Sequence, residues 1–426
     1  MALTSDDKSR EFLTPGPDTE ATSPAGRAGT GQCPVAGRDF DPNSPALWAD
    51  PFGTYQEMRS ACPVVRSSRV GWVLTRYQDV YRANLDTQTF RSDWGAKSPG
   101  PPRVPRVREP QGKGEYYTFA AYPLLPIEID PPEHGPYRKV LQSLFSARSV
   151  ESLWAGEIRG IVTSLLDDVL AAGECDAVSA ISMPLSGLAL AISSGIPPQA
   201  REEFQVFASD IDGHMAEMAE FLRKQIAAAT TGAFALLREG EVNGRRLTEE
   251  EQLGYGIVLV VAGWETTAAA ISSMLFRLTT QPEIRAALEA DRSLIPSAVE
   301  EFLRIDAPVH GLWRTVGEDT QFAGADMSAG DKLLLMWGAA NRDPAEFPDP
   351  DTLTLDRTPN RHIAFGIGVH RCLGAHLARL ELRILLEEIL DRLPPLRLRD
   401  PAAVSRKISN GSIYEMISLP LVLEAS

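Results

Sequence analysis

The chain has little cysteine. Its 426 residues contain only Cys33, Cys62, Cys175 and Cys372, which lie far apart in the sequence. This spacing excludes zinc sites built from closely paired cysteines, and the low number excludes a small secreted scaffold held by disulfides. A reducing compartment fits this pattern best, so we expect a cytoplasmic protein.

Also missing are an excess of positive charge and an apolar leader. The net charge is −15 and the pI is about 5.0, so nucleic acid and anionic membranes are not expected as partners. Charged residues dominate the stretch from Asp6 to Glu11, unlike a signal peptide or anchor. The most apolar stretch, 257–276, carries Glu265 in its middle. It therefore indicates a buried helix and a soluble protein.

Composition separates a short N-terminal segment from the rest. Residues 1–36 are rich in serine, threonine, proline, glycine and charge, which predicts a disordered tail before a folded region at 37–426. Length alone leaves one or more domains open in that region. Helical patterns dominate, with strand-like segments at 70–75, 332–336 and 419–423 and a long irregular stretch at 86–130. The predicted class is mainly α with minor β.

One predicted helix is unusually long. Thr248 followed by Glu251 forms a capping box, and the helical pattern continues to about Thr280. A helix of roughly 30 residues spans about 45 Å, enough to cross a domain of this size. We expect it to be a central scaffold.

The segment with the clearest chemistry is 365–374, which reads FGIGVHRCLG. Gly366 and Gly368 permit a tight turn, and apolar residues at helical spacing follow Cys372. A thiol at the start of a helix loses its proton easily and binds iron. The alternative is a buried structural cysteine.

This segment resembles the heme-binding signature of the cytochrome P450 monooxygenases, and every fixed position of the signature is met. The resemblance extends from about Asp41 to Val422. It implies a single-domain cytochrome P450 fold, a triangular helical prism with heme b between the long central helix and the cysteine-loop helix. It also implies that Cys372 is the metal ligand and that the following residues contact the cofactor: Phe365, Gly366, His370 and Gly374.

A further motif fits the same family. Ala262-Gly263-Trp264-Glu265-Thr266, within the long helix, resembles its oxygen-activation motif, so Ala262 and Gly263 would border the heme. A glycine there costs about 1 kcal/mol of helix stability relative to alanine, and room for a bound diatomic ligand would be a reason for it. The resemblance implies that Thr266 hydrogen-bonds the bound oxygen and that Glu265 relays protons.

Other positions are assigned through the resemblance alone. Read singly, each of these residues is an ordinary charged or polar side chain. When the chain is aligned with the family, four cations fall at positions whose residues hold the heme carboxylates: His134, Arg138, Arg314 and His370. Three residues match a buried structural brace behind the cysteine segment: Glu301, Arg304 and Arg357.

The implied reaction is reductive activation of dioxygen as cosubstrate. Because no reductase domain is evident, a separate ferredoxin or flavodoxin with its reductase would supply electrons to a monomeric enzyme. Such partners are acidic, and we expect a basic patch formed by Arg138, Lys139, Arg371 and Arg379.

Positions that match the family's substrate pocket are mostly apolar, which predicts a small or medium lipophilic substrate. They are Val258, Val261, Ala262, Thr267, Val309, Gly311, Leu312 and Ile413. The long loop adds four cations, which a solvated loop explains best, with recognition of a carboxylate or a carrier-bound substrate as the alternative: Arg103, Arg106, Arg108 and Lys113. Two alternatives stay open: a peroxide-driven heme enzyme and a non-catalytic heme sensor. The Glu265-Thr266 pair counts against both.

Overall fold

A computed structural model describes residues 39–92, 124–209 and 213–424. The predicted tail at 1–36 and the four cations of the long loop lie outside these ranges. The α-helices are α1 (Pro45–Ala49), α2 (Pro51–Ala61), α3 (Tyr77–Leu85), α4 (His134–Gln142), α5 (Ala147–Ala172), α6 (Met183–Ser194), α7 (Arg201–Ser209), α8 (Met215–Ala228), α9 (Gly232–Glu239), α10 (Glu249–Gly263), α11 (Glu265–Thr280), α12 (Pro282–Ala290), α13 (Ile295–Ile305), α14 (Trp337–Ala340) and α15 (Ala375–Arg392).

The strands are shorter than the helices. They are β1 (Val64–Ser67), β2 (Gly71–Leu74), β3 (Phe90–Arg91), β4 (Glu174–Asp176), β5 (Glu241–Val242), β6 (Arg245–Arg246), β7 (Leu312–Val316), β8 (Thr320–Phe322), β9 (Ala325–Met327), β10 (Lys332–Leu335), β11 (Leu396–Leu398), β12 (Ser405–Ser409), β13 (Ile413–Ser418) and β14 (Pro420–Leu423). The prediction of a mainly α protein with minor β is confirmed.

The largest sheet has the strand order β1-β2-β10-β7-β3. Strand β10 runs parallel to β2 and antiparallel to β7. Successive side chains of a strand point to opposite faces of its sheet. Accordingly, Leu333 and Leu335 join one apolar cluster, whereas Leu334 joins a second one that contains Val73. This buried sheet explains why the sequence at 333–336 is a continuous apolar run.

The third and largest apolar cluster lies among the helices. It collects the buried faces of α5, α6, α10, α11, α13 and α15. Ion pairs between α5 and α15 flank this core, among them Arg383 with Glu151 at 2.7 Å. Helix α15, which follows the cysteine segment, is therefore fixed along its length.

The predicted long helix is present with an interruption. The capping box of Thr248 and Glu251 begins α10, and α11 ends at Thr280, but the helix is broken at Trp264. The span Glu249–Thr280 is long and apolar enough to cross a membrane, yet 67% of its most apolar window is buried inside the protein. A core helix explains this composition.

The cysteines differ in state. Cys175 and Cys372 are free thiols, whereas Cys62, directly after α2, is disulfide-bonded. The low cysteine content excluded a small scaffold held by several disulfides, and a single disulfide is consistent with it.

Glu251 links the start of α10 to its surroundings. Its carboxylate accepts hydrogen bonds from both terminal nitrogens of Arg245 at 2.7 Å and from Tyr137 Oη at 2.5 Å. It also accepts one from the backbone N–H of Thr248. The hydrogen bonds from Arg245, opposed by burial, lower the pKa of Glu251 to about 2 from 4.5.

A carboxyl whose pKa is lowered on folding contributes stability above its unfolded pKa and loses it as the pH falls toward the folded pKa. We expect Glu251→Gln to remove about 1–2 kcal/mol of stability at neutral pH and to flatten its decline between pH 4.5 and about 2. Chemical denaturation at several pH values measures this. Glu249→Gln, an exposed glutamate in the same helical turn that pairs with Arg223 at 3.1 Å, is the control. Parallel pH curves for the wild type and Glu251→Gln would contradict this assignment.

Candidate active site

The segment that carries Cys372 is a tight turn before α15. Gly366 and Gly368 have φ values of +63° and +73°, in the left-handed region that glycine adopts readily. A side chain at Gly366 would place Cβ 3.1 Å from the Trp337 ring. The N–H of Cys372 donates to the Phe365 carbonyl at 2.8 Å, which closes the turn. The backbone of this turn is therefore held in one conformation, which fixes the position of the Cys372 sulfur.

The expected acidity of the Cys372 thiol is not a property of the polypeptide alone. Cys372 is exposed, yet desolvation of its sulfur by the surrounding protein raises the pKa of Cys372 and outweighs the N–H of Gly374 and the charges of Arg138, Arg379 and Arg371, which lower it. The prediction from a helix start left this desolvation out. A coordinated metal ion deprotonates a thiol outright.

The four residues predicted as cations gather in one place. The rings of His134 and His370 are in edge contact with centroids 4.6 Å apart, and His370 Nε2 lies 3.0 Å from Asp130 Oδ1. Arg314 is 3% exposed, and burial, partly opposed by Asp130, lowers its pKa to about 10. Arg138 is half-buried on the same helix as His134. Burial lowers the pKa of Arg138 as well, and the charge of Cys372 opposes this.

Several buried polar nitrogens at this place lack a partner among the described residues. They are His134 Nε2, Arg314 Nε and Trp337 Nε1. Arg314, Trp337 and His370 line one small cavity together with Gly366 and Leu312. Buried donors without acceptors are costly, so a ligand that brings acceptors is expected there. The two carboxylates of heme fit this requirement.

The break at Trp264 separates the two halves of the oxygen-activation motif. Ala262 is exposed although most of α10 from Leu253 to Val260 is buried, so it borders open space. Across the break, Thr266 Oγ1 donates to the Ala262 carbonyl at 2.7 Å. Glu265, the first residue of α11, is half-buried.

Gly263 has a packing reason that the sequence did not suggest. A Cβ at this position would lie 3.0 Å from Leu190 Cδ1 of α6. The close approach of two helices therefore requires a small residue there. Room for a diatomic ligand is not needed to explain this glycine.

The three predicted brace residues are in direct contact. Glu301 and Arg304 are fully buried and form two hydrogen bonds of 2.8 Å, and Arg357 Nε lies 3.0 Å from the same carboxylate. Arg304 also donates to the Asn341 carbonyl, and Asn341 Oδ1 accepts from the N–H of Ile363. The brace is thus connected to the chain that leads into the cysteine turn.

Part of the predicted substrate pocket is brought together. Val309 and Ile413 form a β-bridge, and Ser412 Oγ donates to the Gly311 carbonyl at 2.6 Å. Leu312 lines the small cavity beside Arg314. The remaining candidates lie on the central helices: Val258 and Thr267 are buried, Val261 is half-buried and Ala262 is exposed.

The predicted basic patch is smaller than expected. Arg379 forms a bidentate pair with Glu300, at 2.6 and 2.7 Å, and also lies over the Phe365 ring. Glu300 in turn contacts His362 Nε2 at 3.0 Å. Since Arg138 is half-buried, the exposed members of the patch are Lys139 and Arg371.

Sequence reasoning missed two residues of this site. Asp130 accepts from the backbone N–H of Ser92 and contacts His370, and Trp337 contributes one of the donors without an acceptor. Asp130 lies 240 positions from His370 in the chain. No local pattern could pair them.

Comparisons with known proteins agree with this geometry. The family model for cytochrome P450 matches residues 175–400. The chain is 33% identical to a steroid C26-monooxygenase of Mycolicibacterium smegmatis over 87% of this chain and 92% of that protein. It is 34% identical to the mycinamicin IV hydroxylase/epoxidase of Micromonospora griseorubida over 87% and 95%. The chain belongs to the cytochrome P450 family.

The P450 fold is confirmed by a solved structure. Cytochrome P450 CYP109Q5 from Chondromyces apiculatus superposes with a TM-score of 0.80 at 30% identity, covering 91% of this chain and 99% of that one. This P450 is a heme-dependent monooxygenase of the soluble bacterial type. It uses heme b and dioxygen, and enzymes of this kind take electrons from redox partners.

The brace gives a testable stability effect. Arg357→Ala removes a charged hydrogen bond to a fully buried carboxylate, and we expect a loss of about 1–3 kcal/mol. Denaturation of the heme-loaded protein measures this loss. Arg361→Ala, which removes a 3.5 Å pair between an exposed arginine and Glu346, is the control and should cost less than about 1 kcal/mol. Equal effects of the two substitutions would show that Arg357 is not part of a brace.

Proposed function

We propose that this P450 oxidises a small to medium lipophilic substrate, with electrons from a separate ferredoxin or flavodoxin and its reductase. The observation that carries the proposal is the position of the Cys372 turn beside a cluster of buried donors without acceptors. The substrate class follows from the apolar side chains at the candidate pocket positions. The named relatives act on different molecules, a steroid and mycinamicin IV, so their names do not select one substrate.

In this proposal Cys372 is the iron ligand, and His134, Arg138, Arg314 and His370 hold the two heme carboxylates. Asp130 fixes the His370 ring through the 3.0 Å contact, which orients it. The remaining cofactor contacts come from small or flat residues that allow close approach of a planar ring. They are Ala262, Gly263, Phe365, Gly366 and Gly374.

The chemistry that heme b supplies when bound is reductive activation of dioxygen, in which two electrons and two protons leave one oxygen atom in water and the other in the substrate. The polypeptide must deliver those protons. Thr266 presents a hydroxyl at the break between α10 and α11, next to the exposed Ala262. Glu265, half-buried at the start of α11, is the proposed carrier of protons from solvent.

The electron donor is proposed to dock on the cysteine side. Lys139 and Arg371 are exposed there on a chain whose net charge is −15. An acidic partner is attracted to a local basic patch and repelled elsewhere. We further propose that the enzyme is a cytoplasmic monomer and that 37–426 form one heme-thiolate domain.

Thr266→Ala tests the proton pathway. Without added substrate, a ferredoxin and its reductase drive dioxygen either to hydrogen peroxide, with two electrons and two protons, or to water, with four of each. We expect the ratio of water to peroxide to fall by about tenfold, because fewer protons reach the oxygen. Peroxide released per reduced nicotinamide consumed measures this. Thr280→Ala is the control, since Thr280 makes the same hydroxyl-to-carbonyl bond, to Phe276 at 2.8 Å, at the far end of α11. An unchanged ratio in Thr266→Ala would mean that protons arrive by another route.

Arg371→Glu tests the docking side. We expect the rate of heme reduction by ferredoxin to fall by about tenfold at low salt and the difference to shrink as salt is added. Stopped-flow spectroscopy measures the rate. Arg69→Glu makes the same charge change in the turn between β1 and β2, where Arg69 pairs with Asp41, and should leave the rate unchanged. A rate in Arg371→Glu that is normal at every salt concentration would rule this surface out.

The substrate class is tested by screening lipophilic compounds for a change in the spin state of the heme iron. Binding next to the iron shifts the absorption spectrum, and a true substrate then gives an oxidised product with ferredoxin, reductase and reduced nicotinamide. If only charged, hydrophilic compounds gave the shift and a product, the proposed substrate class would be wrong.

A further inference from the structure

The break between α10 and α11 is held from outside by a second helix. Trp264 lies at the break with φ −87° and ψ −71°. Ser186 of α6 donates its hydroxyl to the Trp264 carbonyl at 2.7 Å, and the Gly263 carbonyl lies 3.3 Å from the same oxygen. Ser186 is 1% exposed, so water does not replace this bond. Helix breaks have identifiable causes, and a side chain that bonds to the backbone at the break is one of them.

The indole of Trp264 adds a second connection to the same helix. Its Nε1 donates to the Met183 carbonyl at 2.9 Å. The ring fits because Gly187 has no side chain: a Cβ there would lie 3.1 Å from indole Cε2. On its other side the indole stacks on Phe204 of α7, with centroids 6.2 Å apart and planes 20° apart.

The contacts of α6 lie on one helical face. Met183, Ser186, Gly187 and Leu190 are spaced at i, i+3, i+4 and i+7, and residues at these spacings share a face. The Met183 carbonyl accepts from the Trp264 indole, and the Ser186 hydroxyl donates to the Trp264 carbonyl. Gly187 packs against the indole, and Leu190 packs against Gly263. Helix α6 therefore holds the break in one geometry.

We propose that Ser186, together with Trp264, is a positioning residue that sets the angle between α10 and α11 and through it the placement of Glu265 and Thr266. Both motif residues directly follow Trp264. The bond from Thr266 Oγ1 to the Ala262 carbonyl spans the break, so its geometry depends on the angle between the two helices. The inference rests on the proposed proton-delivery roles of Glu265 and Thr266.

Ser186→Ala in the full-length, heme-loaded enzyme tests the inference. It removes the hydroxyl and leaves the 3.0 Å bond from the Ala268 N–H to the Trp264 carbonyl in place. The readout is the ratio of water to peroxide formed without added substrate, driven by a ferredoxin and its reductase. We expect this ratio to fall about threefold or more, with heme content unchanged. A merely stabilising serine would lower the midpoint of denaturation without changing the ratio.

Ser193→Ala is the matched control. Ser193 is a fully buried serine of the same helix, and its hydroxyl donates within α6, to Leu190 at 3.0 Å. The control should leave the ratio at the wild-type value. A normal ratio in Ser186→Ala, or an equal fall in both variants, would overturn the inference.

The double variant separates this inference from the proposed function. If Ser186 acts through Thr266, adding Ser186→Ala to Thr266→Ala should change the ratio no further. If Thr266→Ala itself has a normal ratio, the proposed proton pathway fails. If only Ser186→Ala is normal, the positioning inference alone fails.

A second variant covers the case in which Ser186→Ala does not retain heme. Trp264→Phe keeps an aromatic ring against Phe204 and removes the donor to Met183. It should lower the ratio in the same direction as Ser186→Ala. A Trp264→Phe enzyme that retains heme and gives the wild-type ratio would also contradict the inference.

Discussion

The proposed site depends on holding the sulfur of Cys372, an exposed residue, in one fixed position. Desolvation of this sulfur raises the pKa of Cys372 despite three nearby arginines and the Gly374 N–H. A coordinated metal ion removes this penalty, because the thiolate then donates to a cation. The turn before Cys372, the Glu301–Arg304–Arg357 contacts and the packing of α15 together fix the position of this sulfur.

The same reasoning explains the charges around the site. A buried charge without a partner is costly, yet Arg314 is buried, with Asp130 as the carboxylate whose charge acts on it. Burial also lowers the pKa of His134, to about 4, and the pKa of His370, which disfavours the charged forms of both rings. Such an arrangement is stable when a ligand brings negative charge. In the proposed site, the two carboxylates of heme would meet these donors and its iron would take the Cys372 sulfur.

Local patterns predicted much of this molecule. The capping box at Thr248, the glycine turn before Cys372 and the apolar run at β10 are set by neighbouring residues, and each was found from the sequence. Contacts between distant segments came only from the family resemblance, as for Glu301 with Arg357, or were not found. Asp130 with His370, Glu300 with Arg379 and Ser186 with Trp264 are partners only because the fold brings their elements together. The break at Trp264 belongs to this second group, since its cause lies on another helix.

Sulfur coordination of the iron is tested most directly by the absorption spectrum of the purified protein after reduction and exposure to carbon monoxide. A thiolate from Cys372 gives a Soret band displaced strongly to long wavelength, and this band is the result we expect. A Soret band at the wavelength of histidine-ligated heme proteins, in protein that has not denatured, would contradict the account.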